Sequence, residues 1–243
     1  MRRRARAKRA SSAALGPSSL PGEAGNLLID LRFRTLVSDA DWASLSPAIR
    51  RRFTQRLAGG NTIVYSGEVA ETRLSRAGWW LAQAVRLIGA PLPMSTDARV
   101  PSVVTVTEDM ACGDQMWTRL YTRRSGFPQV IHSAKRFAGA TGLEEYVGYG
   151  IGVALTVHVE AGALVFRSDH YFLQVLGLRI RLPGVLTPGL LSVAHKEISE
   201  GEFSYTLDIV HPRFGDVLHQ RAIFRETEQW TPRCSGSFSR RVF

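Results

Sequence analysis

The chain has 243 residues, 44% of them hydrophobic, and a formal net charge of +10. This is enough for one large domain, or two small ones, with a sizeable core. Residues 1–10, MRRRARAKRA, carry six of the charges, so the rest is only about +4, which argues against a nucleic-acid partner; with no apolar run of about 18 residues, a transmembrane helix is excluded as well.

Residues 1–25 end in LGPSSLPGEAG and lack periodicity, so they read as a basic disordered tail. The folded domain is expected over 26–228, with a C-terminal extension over 229–243. Twin arginines can begin an export signal, but no apolar core of roughly 7 to 15 residues follows them. Cys112 and Cys234 lie far apart without CxxC spacing, so neither a disulfide framework nor a zinc site is indicated. A cytoplasmic location is the expectation.

After NLLIDLRF comes DADWASLSPAIRRRFTQRLAGG. There Ser46 can cap a helix that starts at Pro47 and stops at Gly59-Gly60, with Ile49, Phe53 and Leu57 on one face. TIVYSGEVAETRL reads as a strand, and GWWLAQAVRLIGAPLP as a second helix closed by Gly89 and Pro91. Its apolar side holds Trp80, Leu81, Ala84, Leu87 and Ile88, which leaves Trp79 on the wet side. From Pro101 onward the chain alternates like strands only, broken by Gly, Pro and acidic turns, Glu144-Glu145 being one such turn. The fold class is therefore α+β: a strongly curved antiparallel sheet or partial β-barrel of about nine to eleven strands, with two N-terminal helices packed on it.

Register narrows this further. With Ala161-Gly162 as a two-residue turn, Ile151, Val153, Leu155, Val157 and Val159 oppose Phe172, His170, Ser168, Phe166 and Leu164. Phe203, Tyr205, Leu207 and Ile209 likewise oppose Phe224, Ala222, Gln220 and Leu218 across a loop HPRFGD. In that loop, Pro212 cannot serve a central ladder and Gly215 frees the backbone. In each pair the apolar residues share one face, which a one-residue slip would expose.

His170 and Gln220 stand out on these faces. A buried imidazole or amide costs about 1 to 3 kcal/mol unless paired, so each requires a partner, a water or a ligand. The candidate ligand-binding set is His170, Gln220, Phe166, Tyr205, Leu207 and Val153, lining a pocket of a few hundred Å³. His219, on the opposite face, reads as solvated. Asp169 points away from His170 if the strand alternates strictly, so no triad forms there. Gly148, Gly150 and Gly152 lack the context of a phosphate loop and fit a bend in the sheet. The six histidines have no metal-site spacing, so no metal and no cofactor are expected. In WTRLYTRR, Trp117, Arg119, Tyr121 and Arg123 share a face that imitates a nucleic-acid platform, although arginine stacked on aromatics within a sheet accounts for it.

The sequence resembles a bacterial family catalogued as domain of unknown function 4166. The likeness rests on DWASLSPAIRRRF, GWWLAQAVRLIGAPLP, WTRLY, VIHSAKRF, LVFRSDHYFLQVLGLRIRLP and HPRFGDVLHQRAIF, over about residues 40–225. It implies a stand-alone domain, or one attached to dehydrogenase-like chains, of which this sequence has no segment. The family's His-Pro-x-Phe-Gly turn and later glutamine correspond to His211, Pro212, Phe214, Gly215 and Gln220, and the resemblance assigns them no role. A histidine of typical members is replaced here by Phe53 or Thr54.

The expected function is a non-enzymatic binding module for an apolar small molecule or lipid in the concave face of the sheet. A hydrolase or isomerase using His170, and a structural or partner-binding domain with a filled core, are the alternatives. Weak membrane-surface contact through the basic tail and Trp79 accompanies the first reading.

Overall fold

The computed structural model describes residues 29–57, 61–87, 92–109 and 111–230. The tail expected over 1–25 and the extension beyond Trp230 lie outside the described residues. Three helices are present among them: α1 (Asp39–Ser44), α2 (Pro47–Thr54) and α3 (Arg76–Leu87). The strands are β1 (Thr62–Leu74), β2 (Val100–Glu108), β3 (Gln115–Tyr121), β4 (Gln129–Arg136), β5 (Leu143–Gly148), β6 (Ile151–Glu160), β7 (Ala163–Val175), β8 (Leu178–Arg181), β9 (Leu190–Ser199), β10 (Glu202–His211) and β11 (Gly215–Trp230).

All strand pairs are antiparallel, in the order β6-β5-β4-β3-β2-β1-β11-β10-β9-β7-β8, and β6 also pairs with β7. Ten strands therefore close into a barrel, with β8 added on the upper part of β7. The expected curved sheet is thus a closed one, which removes the unpaired edges of an open sheet.

Two registers follow the alternation of the sequence. Phe203, Tyr205, Leu207 and Ile209 face Phe224, Ala222, Gln220 and Leu218, as the apolar pattern requires. Ala161 and Gly162 both have positive φ, at 48° and 76°, the backbone of a tight hairpin turn whose twist matches that of its strands. Pairing from this turn runs as expected up to Leu155 opposite Ser168, and there it shifts. Ala154 opposes His170, so Asp169 is an extra residue, a β-bulge. Beyond it Val153 faces Tyr171 rather than His170, and Ile151 faces Leu173 rather than Phe172. Glu144-Glu145, read as an acidic turn, lie within the strand β5; the bend at Gly148-Gly150 is its hairpin connection to β6.

The helices close the two ends of the barrel. Ser46 accepts a hydrogen bond from the Ile49 amide and Pro47 opens α2, while Ser38 caps α1 in the same way. Ile49 and Phe53 are buried. The helix ends at Thr54, short of Gly59-Gly60, which lie outside the described residues. It stops because Gln55 turns extended and bridges to Ile29, the Thr54 carbonyl accepting from the Asp30 amide. Phe33, Trp42, Leu45, Ile49, Phe53 and Leu57 then plug the end of the barrel near Ile63 and Val106. Phe33 meets Phe53, Phe137 and Phe166 edge-on at 5.2, 4.8 and 6.0 Å, a favoured aromatic geometry.

At the other end of β1, α3 lies across the barrel. Its inward face is Gly78, Leu81, Ala82 and Val85, not the expected Trp80, Ala84 and Leu87, all of which are exposed. The small residues decide this orientation. A Cβ on Gly78 would collide with the Val217 carbonyl, so the helix backbone sits closer to β11 than a bulky face could.

Candidate functional site

Between the aromatic plug and α3 the barrel holds a partly open cavity of about 140 Å³. By that measure it has room for on the order of ten water-sized groups, less than the few hundred Å³ expected from the sequence. Ile151 and Val153 of β6, Val193 of β9, and Leu207 and Ile209 of β10 supply apolar wall. Val85 of α3, Leu92 and Pro93 border it on one side, and Leu182, Leu186 and Pro188 on the other. Leu186, itself 70% exposed, stands at the opening.

One patch of the wall is polar and charged. Arg119 of β3, Ser133 of β4 and Glu145 of β5 line it, Lys135 of β4 lies beside them outside the lining, and all four are buried on neighbouring strands. Lys135 Nζ donates to Glu145 Oε2 at 2.7 Å. Ser133 Oγ donates to Glu145 Oε1 at 2.6 Å, and Arg119 Nη2 reaches the same oxygen at 3.4 Å. Arg119 Nη1 donates to Ser133 Oγ at 3.0 Å. Burial alone would raise the Glu145 pKa, but Lys135 and Arg119 hold it down to about 2. Burial draws the Lys135 pKa downward against the pull of Glu145.

Three tyrosines complete the patch. Tyr121, Tyr171 and Tyr205 line the cavity, and burial raises each phenol pKa, so all three stay neutral donors. The Tyr171 hydroxyl has Ser168 within electrostatic reach but makes no hydrogen bond of good geometry. Tyr121 and Tyr205 make no side-chain hydrogen bond among the described residues.

Of the residues singled out from the sequence, the structure brings together Val153, Tyr205 and Leu207, which line the cavity. Phe166 packs instead in the aromatic plug, against Phe33 and Phe53. Gln220 faces inward and is buried but is not part of the lining. Its Nε2 donates to Thr72 Oγ1 at 3.3 Å and its Oε1 has no partner. His170 is on the outer face: the bulge at Asp169 puts Tyr171 inside and turns His170 and Phe172 out. The same bulge brings Asp169 beside His170, Oδ2 to Nδ1 at 2.6 Å, a contact that strict alternation forbids. His219 is on the outer face as read, although it is held by Asp208 at 2.6 Å.

Sequence reasoning missed Ser133, Lys135, Glu145, Tyr171 and His195. His195 is buried among Phe53, Phe166, Phe203 and Tyr205, with no partner for Nδ1. Burial and then Arg52 and Lys135 lower its pKa well below the usual histidine range, so the ring is neutral. A signal for it existed in LLSVAHKEIS, where Leu191, Val193 and His195 share a face. Glu144 diverges from Glu145 to the outer face, where Arg179 Nη2 donates to it at 2.7 Å and Tyr146 at 3.1 Å.

Fold and site together define a closed antiparallel β-barrel with an internal cavity, apolar except for one ionic patch. The chain belongs to the family described as Domain of unknown function (DUF4166), whose model matches residues 45–224. No curated protein matches the chain. Among solved structures, one similar to it is the crystal structure of a mutant of the fluorescent protein UnaG, at 13% identity and a TM-score of 0.30, covering 68% of this chain and 95% of that one.

Proposed function

We propose that this barrel is a binding module for an apolar small molecule or lipid, held in the cavity against Val153, Leu207 and Tyr205. One observation carries the reading. Protein interiors are close-packed, with few voids larger than a water, and unfilled apolar space lowers stability. Here the aromatic plug fills one end of the barrel, yet about 140 Å³ beside it is left unfilled and opens past Leu186. A ligand would replace the contacts that the empty wall lacks.

The alternatives have less support. A hydrolase or isomerase built on His170 would need that ring in the cavity, and it points outward. A structural domain with a filled core leaves the cavity unexplained. Delivery from a lipid surface belongs to the same proposal, since Trp79 and Trp80 stand exposed on the helix that borders the cavity. No helix among the described residues is long and apolar enough to cross a membrane; a cytoplasmic location is part of the proposal.

Native mass spectrometry of protein purified without denaturation tests the reading. The expected spectrum shows a non-covalent adduct of low molecular mass, released on collisional activation, or uptake of added 1-decanol at one equivalent. A bare chain that takes up no alcohol would overturn it.

A further inference from the structure

We propose that the ligand of this cavity carries one negative charge, a carboxylate or an equivalent anionic head on an apolar body, and that Arg119 receives it. The inference rests on the binding reading above and adds the chemistry of the ligand.

The first support is the charge balance. Two cations, Arg119 and Lys135, share a single carboxylate, Glu145, inside the barrel. Lys135 is the closer partner, at 2.7 Å against 3.4 Å for Arg119, and it does not line the cavity, whereas Arg119 does. A guanidinium does not shed its charge by deprotonation. A buried charge without a full counter-ion is costly, and an anion beside Arg119 supplies what Glu145 cannot.

The second support is a surplus of donors. Each Glu145 oxygen is already engaged, Oε1 by Ser133 and Arg119 and Oε2 by Lys135. Arg119 has five N–H groups, of which two make hydrogen bonds among the described residues. Around it, Tyr121, Tyr171 and Tyr205 line the cavity, and the phenols of Tyr121 and Tyr205 have no side-chain hydrogen-bond partner among the described residues. Each phenol both donates and accepts, so the free N–H groups of Arg119 leave the patch with a surplus of donors, which matches an anionic oxygen pair. The apolar wall of Val153, Val193 and Ile209 then takes the body of the molecule, with the opening at Leu186 available to a longer chain.

Decanoate and 1-decanol share an alkyl chain and differ in the charged head, so titration calorimetry of the full chain with each, below aggregation, is the test. Decanoate is expected to bind about 10- to 100-fold tighter, the range for hydrogen bonds to charged groups. Arg119→Gln should abolish that preference while decanol binding persists. If that variant does not fold, Tyr205→Phe keeps charge and volume and should weaken decanoate several-fold more than decanol. His170→Gln, outside the cavity, should change neither. Equal affinity of the unmodified chain for the two probes, or a preference that survives Arg119→Gln, would overturn the anionic head and leave the binding module standing. Failure to bind either probe would overturn both.

Discussion

Lys135 and Glu145 are direct cross-strand partners on β4 and β5, their charged ends 2.7 Å apart inside the barrel. Removing one member of such a pair is worse when it strands the other. Glu145→Gln leaves Arg119 and Lys135 facing each other without a counter-ion, and should cost about 3 to 5 kcal/mol in urea unfolding. Lys135→Met leaves Arg119 to neutralise Glu145 and should cost clearly less. Equal losses would contradict this charge count. The Glu145 pKa falls from 4.5 in the unfolded reference to about 2 in the barrel, so its contribution is present above about pH 4.5 and lost as pH falls toward 2.

His195 sets a second pH window. Its pKa in the fold lies well below the unfolded value of 6.5. Below about pH 6.5 the unfolded chain therefore binds a proton that the fold refuses, and stability drops as pH falls, by up to about 1.4 kcal/mol per unit. His195→Leu should flatten the stability profile between neutrality and the window where Glu145 titrates. Urea midpoints at several pH values measure it; an unchanged slope in the variant would rule out His195 as the source.

The Asp169-His170 contact predicts a null result. Both side chains lie on the outer face and keep contact with solvent, where single substitutions usually stay within about 0.5 kcal/mol. His170→Gln should leave the melting temperature and ligand affinity nearly unchanged. A loss of binding would mean that the bulge at Asp169 is misplaced.

That bulge also marks how far the sequence carries. The β10–β11 register, the Ala161-Gly162 turn and the Ser46-Pro47 helix start were legible because each rests on local chemistry: alternation, positive φ, a capping hydroxyl. A one-residue insertion such as Asp169 leaves no mark in composition, yet it inverts every side chain beyond it, which is why His170 and Tyr171 exchange faces. Lys135 and Glu145 were illegible for another reason. Charged residues on a strand read as outward unless their partners are known, and these partners come from different strands. Arg119 was seen on the face of Trp117 and Tyr121, but only closure of the barrel turns that face inward. On α3, bulk suggested Trp80 and Leu87 as the buried side, whereas close approach to Val217 selects Gly78 and Ala82.

The exposed side of α3 carries the fourth prediction. Trp79 and Trp80 stand edge to face at 4.9 Å and are 44% and 70% exposed. Arg76 and Arg86 are exposed on the same helix. Aromatic and basic residues together suit an anionic interface. Trp79→Ser with Trp80→Ser should lower co-sedimentation with vesicles containing phosphatidylglycerol, and added salt should weaken the binding of the parent chain. Unaltered co-sedimentation would remove this helix from the delivery step.

A ligand inside the barrel is detected by methyl-resolved nuclear magnetic resonance during titration with decanoate. Shifts are expected to concentrate on Val153, Leu191, Val193, Leu207 and Ile209, all in the cavity wall, with the outer-face Leu178 and Ile180 unmoved. Shifts confined to exposed methyls such as these, or no shift at saturating probe, would contradict it.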